Sequence, residues 1–221
     1  MSLPSGYKLL EYIQSSGTQY IDTGFKPNQN TAIYVSAELT EETIYPTIFG
    51  TRNSSAQMYW MYNNGNNSFS TTFTAAINAT KNKITHDFFG KQMYSVDSGI
   101  AKVGNSSISV EMGTFQSQYT MFLFGVNNAD SLQYPTKMKL YSCKIYDNGT
   151  LVRDFIPCQK PDGTLGLWDG VNGAFYGNAG TGTFTAGPVV ASPSIFVNID
   201  GIWKPINHIY VNINNIWQKS T

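Results

Sequence analysis

The stretch SCKIYDNGTLVRDFIPC, Ser142 to Cys158, decides how this chain folds. Two runs rich in β-branched and aromatic residues flank Asp147-Asn148-Gly149, which accept a positive φ at little cost, so the stretch reads as a β-hairpin. In that hairpin Cys158 stands opposite a residue near position 139, about four residues from Cys143. At the rise of a strand that is ~13 Å, beyond the ~7 Å between Cα atoms that a disulfide tolerates. Two free thiols are expected, with Cys143 a small buried hydrophobe on the phase of Ile145.

The same signature recurs on both sides of this hairpin. Short runs of Val, Ile, Thr, Tyr and Phe lie between Gly, Asn and Asp signals at a spacing of ~8–12 residues, and helical periodicity is almost absent. Toward the N-terminus, strands are expected near Glu11 to Gln14, Gln19 to Thr23, Thr31 to Leu39, Thr47 to Gly50, Met58 to Tyr62 and Ser68 to Phe73. Further strands are expected near Lys91 to Val96, Ile100 to Val103, Ser107 to Met112 and Thr120 to Val126. The hairpin itself supplies Met138 to Tyr146 and Thr150 to Ile156, and Leu165 to Asp169 and Ala174 to Tyr176 follow it. So many strands do not form one flat sheet. Two packed antiparallel sheets let each bury one face, which makes the fold class all-β.

Composition agrees. Of 221 residues only 13% are charged, against roughly 25% in an average soluble domain, and the net charge is zero. Phosphate-backbone binding draws on clustered Lys and Arg, and the only local pairs are Lys81 with Lys83 and Lys137 with Lys139, so no nucleic-acid partner is expected. Met1 to Tyr12 has no basic and apolar signal pattern, and the longest apolar run, Tyr119 to Val126, is far below the ~18 residues of a spanning helix. Neither signal-dependent export nor membrane insertion is expected.

A composition break at Gly187-Pro188 through Pro193-Ser194 separates residues 1–187 from a repetitive tail, with residues 188–194 as linker. In residues 195–221, Ile195 to Lys204 (IFVNIDGIWK) aligns with Ile209 to Gln218 (IYVNINNIWQ) at a period of 14. Each copy reads as a hairpin, turning at Asp200-Gly201 and Asn214-Asn215, with Ile199 facing Ile202 and Asn198 facing Trp203. Both faces are apolar, so the tail should be covered by the main domain, a neighbouring subunit, or both. Phe196, Trp203, Tyr210 and Trp217 are the expected oligomer or anchor contacts.

Three stretches, LPSGYKLLEYIQSSGTQYIDTG (Leu3 to Gly24), SCKIYDNGTLVRDFIPC and GLWDGVNGAFYGNAGTGTFTAG (Gly166 to Gly187), resemble in order and spacing the laminin-G-like, concanavalin-A-like jellyroll domains of surface and prophage proteins associated with Gram-positive bacteria. The resemblance implies a jellyroll sandwich over about residues 3–187. The tail resembles the tryptophan-bearing hairpin repeats at the ends of bacteriophage tail and other virion proteins. Together these imply a virion location, or alternatively the bacterial cell surface, with other virion proteins as partners and a homo-oligomeric state.

Such folds include lectins, glycosidases and scaffolds, so the site must decide. A retaining glycosidase needs two carboxyl groups ~5–5.5 Å apart, and jellyroll glucanases carry a Glu-x-Asp-x-x-Glu strand that this chain lacks. Glu38, Glu41 and Glu42 are spaced for a solvated loop. The two histidines, His86 and His208, match no zinc motif, and each reads as a surface or capping residue. Asp22, Asp130 and Asp169 are the candidate calcium ligands, but no dense Asp-x-Asp pattern supports them, and the expected cofactor and metal content is none.

Sugar recognition needs aromatic rings beside amides. The richest such stretch runs from Met58 to Asn67 (MYWMYNNGNN) and nominates Tyr59, Trp60, Tyr62, Asn63, Asn64 and Asn66, with Arg52 as a polar anchor. On a strand Trp60 and Tyr62 share one face and Tyr59 takes the other; one of these faces is core, and the sequence leaves open which. Trp168 sits among core-spaced residues. The expected function is a non-enzymatic bacteriophage virion structural protein of the tail, baseplate or capsid surface, with a carbohydrate-binding and adhesive role for the jellyroll. The alternatives are a ligand-free decoration or scaffold component and a cell-surface glycoside hydrolase or lyase.

Overall fold

The computed structural model describes residues 3–41, 45–53, 57–64, 70–75, 80–85, 90–190, 195–199, 202–206, 210–213 and 216–219. Among these the chain is all-β, two large antiparallel sheets forming a sandwich. Contacts divide it into two compact units, Met1–Val189 and Val190–Thr221.

In the first unit the larger sheet runs in the spatial order Ser106–Ser109, Ile100–Val103, Gln92–Asp97, Thr31–Leu39, Met138–Asp147, Thr150–Gln159, Leu165–Asp169, Ala174–Gly177. Short strands from both ends of the unit join its central strands, Lys8–Leu9 pairing with Thr150–Gln159 and Ile13–Gln14 with Met138–Asp147, and Thr185–Ala186 pairs in turn with Ile13–Gln14. The smaller sheet is ordered Ser131–Gln133, Val126–Asn128, Thr47–Arg52, Met58–Asn63, Ser70–Ala75, Thr80–Thr85. One pair departs from the antiparallel rule, since Asn127 pairs in parallel with Thr51.

Alternation builds the core. Ile33, Val35, Tyr94, Val96, Cys143, Ile145 and Phe155 point inward from the larger sheet, and Phe49, Tyr59, Met61 and Phe73 meet them from the smaller. The hairpin turn is as its residues demand, with Asn148 at φ 48° and Gly149 at φ 77°. Cys143 pairs with Phe155 and Cys158 with Leu9 and Gly166, so the two free, buried thiols sit on different parts of the sheet.

Three expectations are corrected. The run Thr120 to Val126 is not one strand; Phe124 takes φ 69°, which breaks the ladder into Phe122–Leu123 and Val126–Asn128 while its ring stays buried. Thr80–Thr85 is an additional strand, hidden because TKNKIT has only Ile84 to bury. Trp168 is not core: Leu167 takes the inward face, so Trp168 faces outward, edge-on to Tyr7 at 5.7 Å.

In the second unit Ile195–Ile199 pairs with Ile202–Ile206 and Tyr210–Ile213 with Ile216–Lys219, with Ile199 opposite Ile202 and Asn198 opposite Trp203. Both expected turns lie outside the described residues. Phe196, Trp203, Tyr210 and Trp217 are described by backbone register alone. Pro188 and Val189 are still bonded to the first unit, the Glu11 N–H donating to the Pro188 carbonyl at 2.9 Å.

The outer face of the larger sheet carries polar clusters. Glu38 accepts from the Tyr141 hydroxyl at 2.7 Å and from Lys139 at 3.2 Å, and Asp97 accepts from the Tyr34 and Ser98 hydroxyls at 2.5 and 2.8 Å. These donors hold both carboxyls below their ordinary pKa, the tyrosine hydroxyl being the largest cause in each case. A depressed carboxyl stabilises the fold above its unfolded pKa and loses that contribution as pH falls through the folded value. Melts followed by circular dichroism should therefore show the midpoint falling as pH drops below about 4, and a Glu38→Gln, Asp97→Asn double variant should show a shallower fall.

Candidate functional site

Strand alternation divides the aromatic segment Met58–Asn63. Tyr59 and Met61 point into the sandwich, whereas Trp60 and Tyr62 turn to the outer face of the smaller sheet and form their own small cluster with Val126, Met58 and Tyr134. Tyr59 is thereby removed from the expected glycan site: it is 0% exposed, packs on Phe49, Phe73 and Phe115, and donates its hydroxyl to the Thr31 carbonyl at 3.1 Å. Asn63 shares the inward phase of Tyr59 and Met61 and is likewise buried. Asn66 lies outside the described residues.

The expected residues that do converge are Arg52, Trp60, Tyr62 and Asn64, in a cleft of about 400 Å³. Gly50 stands opposite Trp60, and a Cβ there would meet the indole Cδ1 at 2.7 Å; its absence lets the ring lie against the sheet. The indole N–H donates to Thr47 Oγ1 at 2.9 Å. Tyr62 covers the Trp60 ring at 4.2 Å between centroids, and Tyr134 stacks on it at 5.4 Å and 15°. The Arg52 guanidinium lies 5.0 Å from the Trp60 ring centre and 5.3 Å from that of Tyr134, and it donates to Gln133 Oε1. Asn64 donates to Ser70 Oγ at 2.8 Å and accepts from Thr72 Oγ1 at 3.0 Å. Burial pushes the Tyr62 phenol above its ordinary pKa, so the ring stays neutral.

Two lining rings escaped the sequence reading. Tyr45 and Tyr134 meet edge to face at 5.8 Å and 90° at the lip of the cleft, and Tyr45 is 42% exposed. Each precedes a proline, and each is held at a left-handed φ, 54° and 48°. A bulky residue before proline favours extended backbone, so this geometry costs of order 1–3 kcal/mol per residue and is held by its surroundings. The shared Tyr-Pro dipeptide is the signal that could have found them. Met58 and Thr74 complete the lining, which among the described residues has one positive charge and no carboxylate.

The other nominated groups have structural partners. Asp169 is fully buried and accepts from the backbone N–H groups of Asp154 and Val171 at 3.0 Å each and from the Asn172 side chain at 2.6 Å, with Arg153 Nε at 3.7 Å. Asp22 accepts from the Gly24 N–H at 2.9 Å, and Asp130 sits in a turn at φ 65°. Among the described residues no three His, Cys, Asp or Glu side chains gather as a metal site. Glu41 pairs with Lys137, and Glu42, His86 and His208 lie outside the described residues.

No protein-family model matches the chain, and no curated protein is significantly similar to it. The cleft is thus interpreted from its own chemistry. Trp60 is 7% exposed, and its removal should cost about 3–5 kcal/mol in a urea titration. Tyr45→Ala at the exposed lip should cost less, about 1–2 kcal/mol from the two edge-to-face ring pairs that it removes.

Proposed function

We propose that the chain is a non-enzymatic glycan-binding component of a bacteriophage virion, a member of the laminin-G-like jellyroll domains. The observation that carries the reading is the outer-face cleft of the smaller sheet, where tyrosine rings, one guanidinium and an amide converge, with no carboxylate among the described lining residues. Aromatic faces stack on the apolar C–H side of a pyranose, and the amide and guanidinium meet its hydroxyls; no general acid or base is needed for that task. The strained lip tyrosines support it further, because strain of this kind persists where a side chain's direction matters. The presenting rings are Tyr45 and Tyr134, while Trp60 and Tyr62 form the layer beneath them.

The virion assignment rests on the resemblance carried by the stretches Leu3 to Gly24, Ser142 to Cys158 and Gly166 to Gly187 and by the tail repeats. The tail attaches or oligomerises the protein through its aromatic positions. A ligand-free decoration is favoured by a specific observation: the Trp60 and Tyr62 rings are already covered by one another, by Tyr134 and by Arg52.

Adsorption to host cells separates the two readings. A Tyr45→Ala, Tyr134→Ala variant should remain folded by circular dichroism, with a lower melting temperature from the lost stacking on Trp60, and lose adsorption and glycan-array binding; a parent that stays blank on the array as an assembled oligomer leaves the decorative reading. Light scattering should give a lower assembly mass for a chain ending at Val189 than for the full chain, and equal masses would restrict the tail to anchoring.

A further inference from the structure

A second cleft, of about 760 Å³, opens at one rim of the larger sheet, where Thr31–Leu39 begins and Gln92–Asp97 and Met138–Asp147 end. Its size falls within the ~300–1,000 Å³ of small-molecule sites. Ile33 pairs with Val96 and both face the core, so the neighbouring Tyr34 and Asp97 lie on the solvent face; Tyr146, opposite Ala32, joins them there. The Tyr34 and Tyr146 rings meet edge to face at 5.9 Å and 80°.

The rim is braced before any ligand arrives. The Asn148 N–H donates to the Asn30 carbonyl at 3.3 Å, Asn28 Nδ2 donates to Asp147 Oδ1 at 2.9 Å, and the Val110 N–H donates to the Gly99 carbonyl at 2.7 Å. Asp97 is the one charged group among the described lining residues, and its ionised form is favoured by Lys102 on the neighbouring strand. Tyr34 occupies one of its oxygens and Ser98 the other, and each carboxylate oxygen keeps a second lone pair. A carboxylate as the charged lining group repels phosphates, uronates and other anions. It suits hydroxyl donors, which make charge-assisted bonds to it, while the amides of Gln29, Asn30 and Asn148 supply neutral partners of both kinds.

We infer that this rim cleft is a second ligand site, one that takes a neutral saccharide: Asp97 accepts from its hydroxyls, and the Tyr34–Tyr146 pair meets its C–H face. The site lies on the other sheet from the Arg52 cleft, carries the opposite charge and stands independently of it.

The test is an amide-resolved NMR titration of the full chain with methyl α-glucoside, methyl β-galactoside, N-acetylglucosamine and rhamnose, with glucuronate and tetramethylammonium as charged controls. At least one neutral sugar should saturably shift the Gly99, Asn148 and Gly149 amides, and glucuronate should not. Asp97→Asn should weaken that binding about tenfold or more, as expected for loss of a charge-assisted acceptor, and Arg52→Ala should leave it unchanged. The inference is overturned if no neutral sugar moves the three amides, if tetramethylammonium moves them as strongly, or if Asp97→Asn binds like the parent. Shifts at Trp60 and Tyr62 report the other cleft in the same spectra, so failure of one site is distinguishable from failure of the other.

Discussion

The pairing of Thr31–Leu39 with Met138–Asp147 is the constraint from which the rest of the sandwich is laid out. Nine residue pairs run from Thr31 opposite Asp147 to Leu39 opposite Met138, with one irregularity between Leu140 and Ser142. Side chains alternate with a period of two, so fixing this register sends Ile33, Val35, Cys143 and Ile145 inward together. The same register brings Tyr34 and Tyr146 side by side outside, and a slip of one residue would exchange the two sets. The rim cleft and the core are therefore two sides of one decision.

Alternation has the same double effect in the smaller sheet. Met58–Asn63 gives Tyr59 and Met61 to the core and Trp60 and Tyr62 to the outer face, and Gly50 makes room for the indole. What turns that outer patch into a cleft is not in the sheet. It comes from the loop residues Tyr45 and Tyr134, whose backbone is held where tyrosine rarely rests.

Periodicity and turn chemistry made most of the fold readable: Thr31–Leu39, Ile100–Val103 and Leu165–Asp169 have the bounds their sequences suggest, because each is a short apolar or β-branched run bounded by turn signals. Thr80–Thr85 was opaque because a strand held mainly by backbone pairing needs little apolar pattern. The break at Phe124 was opaque because a left-handed phenylalanine is imposed by surrounding contacts, the Phe124 N–H bonded to Ile48 and its carbonyl to Thr136. At the site, Arg52, Trp60, Tyr62 and Asn64 were legible as aromatic and amide chemistry on one strand pair. Which face they occupied was not, since both faces of MYWMYN are apolar, and the residues that close the cleft from loops leave no periodic trace.

The central pairing also sets a timetable. Thr31–Leu39 leaves the ribosome about 100 residues before Met138–Asp147 exists, and at ~5–20 residues per second that is roughly 5–20 s of synthesis. During that interval a nine-residue strand with Ile33 and Val35 on one face waits with an unpaired edge. The nascent chain is thus most exposed to aggregation early in its own translation, and slow codons placed before Met138 would lengthen the hazard while faster elongation there would shorten it.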